Sequence, residues 1–123
     1  MTFLLHPFLP PDHSGASAAS EAGMGIHAGH DETSLLLHLA PELVDVSAAR
    51  RQVPDRLAES RYVRFGGSVS FGWLSNDFGP SGVIGDPTEA SAEHGQKLFE
   101  ATVRALGEQL AEVKAFDFSN YQS

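Results

Sequence analysis

The stretch that decides the fold of this chain reads His27-Ala28-Gly29-His30-Asp31-Glu32-Thr33-Ser34 and leads directly into three leucines. Its acidic residues come before its leucines, and this charge order suits the positive, N-terminal end of a helix dipole. Pro41 then interrupts the pattern, because proline lacks the N–H group that a continuing helix needs. The stretch therefore predicts a short helix over residues 30–40.

A second stretch with the same mixture of acids, histidine and glycine lies later in the chain. It reads Gly82-Val83-Ile84-Gly85-Asp86-Pro87-Thr88-Glu89-Ala90-Ser91-Ala92-Glu93-His94-Gly95. Thr88 follows a proline and is a good N-cap residue. We predict a long helix over residues 88–115, because apolar residues recur there at the spacing of one helix face. They are Phe99, Val103, Leu106, Leu110 and Val113.

The remaining predicted elements are shorter. The apolar residues in 1–8, which end near prolines, predict a buried strand, and the Pro, Ser, Ala and Gly of residues 9–25 predict a long loop. Between 62 and 74, large apolar residues alternate with small ones around a Gly-Gly turn, which predicts strands. Strands covered by two helices favour an α/β domain.

Composition narrows the classes of function. The 123 residues are enough for one domain, and 41% hydrophobic with 20% charged residues is typical of a globular protein. A net charge of −8 repels phosphate backbones and anionic lipids, so we expect neither a nucleic-acid nor a membrane partner. The chain has no cysteine, which excludes disulfides and thiolate metal sites. Its start lacks a signal-like or membrane-spanning run, so we expect a cytoplasmic protein.

His27 and Glu32 are the candidate chemical groups of the first stretch. A turn at Ala28 and Gly29 followed by a helix start would bring both side chains to the helix mouth, where unpaired N–H groups favour anions. A histidine near this positive end is suited to act as a neutral base or a metal ligand. The alternative is structural, because first-turn acids commonly satisfy helix donors and His27 could be an ordinary loop residue.

Both stretches resemble patterns of the creatininase family of amidohydrolases. The first family pattern is His-Ala/Gly-Gly-x-x-Glu-Thr-Ser, followed by a leucine-rich helix and Pro-x-Leu-Val, and this chain has His27-Ala28-Gly29, Glu32-Thr33-Ser34 and Pro41-Glu42-Leu43-Val44. The second pattern is matched by Gly82-Val83, Gly85-Asp86-Pro87, Ala90, Glu93 and Gly95. The two patterns stand in the family order, and the resemblance extends from His6 to Phe116.

The resemblance implies a three-layer α/β/α creatininase-like fold, present here as a partial domain that is the C-terminal half. It implies that His27 is a general acid/base beside the substrate and that Glu32 lies with it at the active centre. His30 and Asp31 fall on variable positions of the pattern and inherit no role. The family's two divalent ions, zinc or manganese, are held mostly by N-terminal ligands that do not occur upstream of Thr2, so no metal ligand is assigned in this chain.

The expected function is therefore metal-assisted hydrolysis of a small-molecule cyclic amide or related non-peptide C–N bond, by a site that is incomplete in this chain. The alternative is a non-catalytic fragment or assembly subunit that keeps only the family's packing surface. A homo-oligomer, which is a hexamer in the family, or a complementary N-terminal half would be the partner.

Other polar residues are better explained by structure. Asp86 opens a turn that feeds a helix, and its carboxylate is suited to turn and cap hydrogen bonds. Glu93 and His94 fall at the start of the long helix, where a carboxylate complements the dipole. Trp73 is expected in the core or at a subunit contact. The other histidines show no spacing of paired ligands; they are His6, His13 and His38.

Overall fold

A computed structural model describes residues 2–5 and 18–121 of the chain. Within these residues lie three α-helices, which are α1 (His30–Leu39), α2 (Asp55–Ala58) and α3 (Ala92–Ala115). Short 3-10 turns connect them: Ala19–Glu21, Pro41–Leu43, Val46–Ala48, Ser75–Phe78, Pro87–Glu89 and Phe118–Tyr121. In the described part, no helix is both long and apolar enough to cross a membrane.

The predicted N-terminal elements lie partly outside the described residues. Of the strand predicted over residues 1–8, residues 2–5 are described, and they form no strand. Of the loop predicted over residues 9–25, the described part begins at Ala18 and includes the 3-10 turn Ala19–Glu21. His6 and His13 also lie outside the described residues.

Helix α1 begins at His30 and ends at Leu39, against a predicted range of 30–40. Gly29 is its N-cap residue and offers no side chain, so the first N–H groups find their acceptors elsewhere. The carboxylate of Glu21 accepts the N–H of His30 at 2.9 Å. The helix start therefore depends on a residue that is nine positions earlier in the chain.

Helix α3 begins at Ala92, four residues later than predicted, and ends at Ala115. Its N-cap is Ser91, whose hydroxyl accepts the N–H of His94 at 3.2 Å. Thr88 instead lies in the 3-10 turn Pro87–Glu89, which Asp86 caps. The prediction of an N-cap at Thr88 was wrong because Asp86 captures both the N–H and the hydroxyl of Thr88.

Helices α1 and α3 pack against each other. Ser34 of α1 and Gly95 of α3 are both buried, and the hydroxyl of Ser34 accepts the N–H of Ser91 at 3.1 Å. Leu98, one helical turn further along α3, is 2% exposed. This contact sets the arrangement of the two helix starts.

The strands predicted over residues 62–74 do not form. Val63 and Val69 make one isolated bridge, and the described residues contain isolated bridges rather than a sheet. The alternating aromatic residues pack with one another instead: the ring of Phe65 lies 5.8 Å from Phe71, 5.4 Å from Trp73 and 5.5 Å from Phe78. Alternation of large and small residues places the large side chains on one side of the chain, but it does not supply a partner strand. The layered α/β/α architecture therefore stays a prediction.

One of the bridges connects the two stretches that the sequence analysis singled out, and a second joins the later stretch to Gln52. His27 and Ile84 exchange backbone hydrogen bonds at 3.1 and 2.9 Å, and Gln52 and Gly85 do so at 2.9 and 3.0 Å. Ile84 is fully buried at this junction. The backbone before α1 is thereby held beside the backbone before α3.

Candidate functional site

A buried carboxylate lies between the two stretches. Glu21 is 2% exposed, and its Oε1 atom accepts the N–H of His30 at 2.9 Å and the N–H of Asp86 at 2.8 Å. Each hydrogen bond to a carboxylate is charge-assisted and stronger than one between neutral groups. One oxygen atom therefore holds the start of α1 and the turn before α3 in a fixed relation.

Glycines enclose this carboxylate. A Cβ at Gly25 or at Gly29 would overlap the carboxylate of Glu21, and a Cβ at Gly85 would lie 2.7 Å from both Glu21 Oε1 and the Cα of Gly29. Side chains at these positions would displace the acceptor from its two N–H donors. Sequence analysis did not single out Glu21, because it falls in the predicted loop with no pattern around it.

His27 and Glu32 lie on the same turn. The backbone of His27 is fixed by its pairing with Ile84, and its imidazole is exposed. Ala28 adopts a left-handed conformation with φ of 53°, which reverses the chain, and its N–H donates to the carboxylate of Glu32. Glu32 thus contacts the residue directly after His27. Their roles in a reaction stay a prediction.

A second group of polar side chains lies at the facing starts of α1 and α3. The Nε2 atom of His94 is 2.8 Å from Asp31 Oδ1, and the Nδ1 atom of His30 is 3.4 Å from the same oxygen. The two imidazole rings lie 4.5 Å apart between centroids, and all three side chains are half-buried. We call these three residues the His-Asp-His cluster.

Sequence reasoning assigned no role to this cluster. His30 and Asp31 occupy variable positions of the family pattern, and His94 is 63 residues away from Asp31. The available signal was the pair of helix starts, each carrying acid and histidine. Only the close packing at Gly95, which sequence alone did not assign to α1, brings them together.

The donors of the His-Asp-His cluster fit one metal ion. Among the described residues, these three side chains form a group whose nitrogen and oxygen donors all lie within 4.8 Å of one another. Imidazole nitrogen and carboxylate oxygen are donors that zinc accepts. Three donors can hold one ion, whereas a two-ion centre needs more ligands than the described residues bring together here.

Asp86 is buried and acts on its own turn. Burial raises the pKa of its carboxyl, but hydrogen bonds from Thr88 and Ser20 and the charge of Arg51 lower it, and the net pKa lies below the ordinary value. The Nε atom of Arg51 is 4.0 Å from Asp86 Oδ2. This is the capping role that the Asp-Pro-Thr sequence predicts.

An apolar groove of about 420 Å³ lies between residues 2–5 and the end of α3. Its lining includes Phe3 and Phe116, whose rings are 5.5 Å apart in an edge-to-face arrangement. Neither His27, Glu32 nor any member of the His-Asp-His cluster lines it. The groove is therefore not built from the candidate chemical groups.

Comparison with known proteins places these features in one family. The chain is 42% identical over 93 residues to a mycofactocin precursor peptide peptidase of Mycobacterium ulcerans, covering 73% of this chain and 34% of that protein. It is 36% identical over 87 residues to the protein of that name from Mycolicibacterium smegmatis, covering 68% and 32% of the two chains. The chain thus spans about a third of the length of the curated relatives that it matches.

Comparison of structures gives the same fold. A solved structure from Bacteroides fragilis, described as a creatinine amidohydrolase, superimposes with a TM-score of 0.55 and 24% sequence identity. The superposition covers 77% of this chain and 37% of that one, so the present chain has part of the creatininase-like fold. The sequence model of the family, described as creatinine amidohydrolase, matches residues 5–110. With most of its 123 residues matched, the chain belongs to the creatininase family.

Proposed function

We propose that this chain forms part of an amide-hydrolysing creatininase-family enzyme, in which His27 transfers the proton that the leaving nitrogen requires. Glu32 is a positioning residue in this proposal. The observation that carries it is the hydrogen bond from the N–H of Ala28 to the carboxylate of Glu32, directly after His27. The histidine and the glutamate of the first family pattern are both connected to this turn.

The geometry of the turn suits proton transfer. Amide cleavage releases an amine, which is a poor leaving group until its nitrogen is protonated, and an imidazole can exchange protons near neutral pH. The imidazole of His27 is exposed, while the backbone that carries it is fixed to buried Ile84. A substrate nitrogen can therefore reach a side chain whose backbone is held by two hydrogen bonds to Ile84.

The family's divalent ions, zinc or manganese in our expectation, would lower the pKa of the attacking water and polarise the scissile carbonyl when bound. The described residues bring together donors for one ion and not for a pair. We propose that residues outside this chain complete the centre. We also propose that residues outside this chain complete the three-layer α/β/α domain.

The substrate that we favour is an amide bond of a peptide, because the curated relatives are named peptidases of a precursor peptide. A cyclic amide of low molecular weight is the alternative, in keeping with the family description. We further propose a cytoplasmic location, as expected from the residues at the start of the chain, and a homo-oligomer, which the family resemblance implies.

A second candidate function is assembly without catalysis. Helix α3 exposes large apolar side chains, with Phe99 at 40%, Val103 at 52% and Leu110 at 53% exposure. Such a row on one helix face is typical of a surface covered by other polypeptide. A subunit that retained this face without a complete active centre would have the same surface.

The experiment that separates the two candidates measures hydrolysis by the purified 123-residue chain mixed with the N-terminal part of a curated relative, with zinc or manganese added, on a peptide panel and on creatinine. Catalysis predicts turnover that His27→Gln abolishes and that His38→Gln retains, since His38 lies on α1 against the ring of Phe99. Turnover that survives in His27→Gln would remove His27 from the mechanism. A folded chain that binds the added N-terminal part but gives no turnover on any substrate supports the assembly function, and sedimentation then measures its oligomeric state.

A further inference from the structure

The His-Asp-His cluster has a hydrogen-bonding problem that a cation would solve. The Nε2 atom of His30 is 3.2 Å from the backbone carbonyl oxygen of Glu89. A carbonyl oxygen only accepts, so Nε2 carries a ring proton and donates it. In the neutral imidazole, Nδ1 then has a lone pair, and this lone pair faces the carboxylate oxygen of Asp31 at 3.4 Å. Two electron-rich atoms face each other unless positive charge lies between them.

The same carboxylate oxygen is also the partner of His94, whose Nε2 atom lies 2.8 Å away. Two ring nitrogens from two helices therefore converge on one oxygen atom. Either extra ring protons or a metal ion can supply the positive charge that this arrangement requires. The net charge of −8 on the chain favours the accumulation of cations near its surface.

We propose that His30, Asp31 and His94 bind a single divalent transition-metal ion, with zinc as the best match. The ion would take Nδ1 of His30, one carboxylate oxygen of Asp31 and Nε2 of His94, with water in the remaining position. It would replace the proton that His94 shares with Asp31, and that proton would leave to solvent. The ion would join the starts of α1 and α3.

The geometry requires only small adjustments. In a tetrahedral zinc site with bonds near 2.0–2.1 Å, neighbouring donor atoms lie about 3.3 Å apart. The two nitrogen–oxygen distances to Asp31 are 2.8 and 3.4 Å, and all three donors lie within 4.8 Å of one another. Side-chain rotations without backbone movement can close these differences.

The surroundings of His30 match those of a metal ligand. Ligating histidines usually donate their second ring N–H to a carbonyl or carboxylate, which fixes the tautomer and the ring orientation. The hydrogen bond to the Glu89 carbonyl supplies this contact. Two imidazoles with one carboxylate favour zinc over calcium or magnesium, which prefer sites made of oxygen ligands alone.

The three proposed ligands include residues that the family pattern leaves variable, and zinc binding there needs neither His27 nor a substrate. Its test is a titration of the metal-free 123-residue chain with zinc, followed by calorimetry. We expect one ion per chain and a raised thermal unfolding temperature, since an ion bound only by the folded chain stabilises it. Asp31→Asn and His94→Gln should each weaken binding about 100-fold or more.

Matched controls distinguish the cluster from other donors. Glu93 precedes His94 in the chain, and its carboxylate pairs with Lys97 at 2.7 Å. The Glu93→Gln variant should therefore bind zinc as the unchanged chain does. A chain with both His6→Gln and His13→Gln should also bind normally. Equal affinity in Asp31→Asn and the unchanged chain would overturn the proposal.

Cobalt(II) gives a measurement that does not depend on any variant. When it replaces zinc in the unchanged chain, we expect the intense visible absorption of a four-coordinate ion together with shifted NMR signals of His30 and His94. Lack of binding by a chain whose circular dichroism shows folded helices would overturn the proposal and leave protons as the source of positive charge. A failure of amide hydrolysis would not affect either readout.

Discussion

Gly95 of α3 packs directly on the backbone carbonyl of Ser34 of α1. A Cβ at position 95 would overlap that carbonyl oxygen and lie 3.0 Å from the Cβ of His38. Asp31, Ser34 and His38 are spaced by three and four residues and so share the face of α1 that meets α3. The missing side chain at position 95 therefore sets both the helix packing and the approach of His94 to Asp31.

Gly95→Ala is expected to force the two helices apart, because the atoms that it meets belong to the backbone and cannot rotate away. Overpacking of this kind costs about 1–3 kcal/mol in the free energy of unfolding, which chemical denaturation measures. Gly107→Ala is the matched control in the same helix, since a Cβ there meets nothing within 4 Å. That variant should gain about 0.5–1 kcal/mol from helix propensity, and a similar loss in both variants would contradict the packing argument.

Glu21 should tolerate loss of its charge better than loss of its oxygen. Glu21→Gln keeps an oxygen that can accept the N–H groups of both His30 and Asp86, and we expect a loss of about 1 kcal/mol in unfolding free energy. Glu21→Ala leaves two buried N–H groups without this acceptor and opens a cavity, so a loss of about 3 kcal/mol or more is expected. Thermal and urea unfolding measure the difference, and equal losses would mean that the two hydrogen bonds contribute little.

Ionisation of Asp86 should make the free energy of unfolding depend on pH. Its pKa is lowered in the folded chain because the hydrogen bonds from Thr88 and Ser20 outweigh burial, so its stabilisation is present above the unfolded pKa and is lost as the pH falls through the folded pKa. Asp86→Asn should cost about 1–2 kcal/mol at pH 7, and the difference from the unchanged chain should shrink below about pH 4.

The control for Asp86 is Glu108→Gln, an exposed position on α3, which should change the unfolding free energy by less than about 0.5 kcal/mol at any pH. Urea unfolding at a series of pH values gives both curves. A constant difference between Asp86→Asn and the unchanged chain from pH 7 to pH 3 would show that ionisation of Asp86 does not contribute.

The two main helices could be predicted from sequence because their signals are local. Acids before leucines mark the start of α1, and the apolar spacing from Phe99 to Val113 marks α3. The predicted start of α3 was wrong because the carboxylate of Asp86 accepts the hydroxyl hydrogen bond of Thr88. Thr88 then lies in a 3-10 turn, and Ser91 is the N-cap of α3. The strands failed because the alternation around Phe71 and Trp73 is satisfied by aromatic packing alone.

Some residues of the candidate site could likewise be predicted from local sequence, and others could not. His27 and Glu32 are five residues apart, so one turn could be expected to hold both. The His-Asp-His cluster depends on a contact between α1 and α3, and no local pattern reports which helix faces meet. Glu21 could not be predicted from a local pattern either, because the two N–H groups that it accepts are 9 and 65 residues away along the chain.

Glu32 should position His27 by holding the turn at Ala28 with a hydrogen bond, and not by its charge alone. Its carboxylate accepts the N–H of Ala28, a residue that holds a left-handed φ of 53°. Glu32→Ala removes the acceptor, so the Ala28 amide should exchange with deuterium about tenfold faster, whereas Glu32→Gln retains an acceptor and should restore most of the protection. Glu42→Ala, an exposed glutamate in the turn Pro41–Leu43, should leave this amide unchanged. If Glu32→Ala leaves the exchange of Ala28 unaltered, Glu32 does not hold the turn, and its proposed positioning of His27 is wrong.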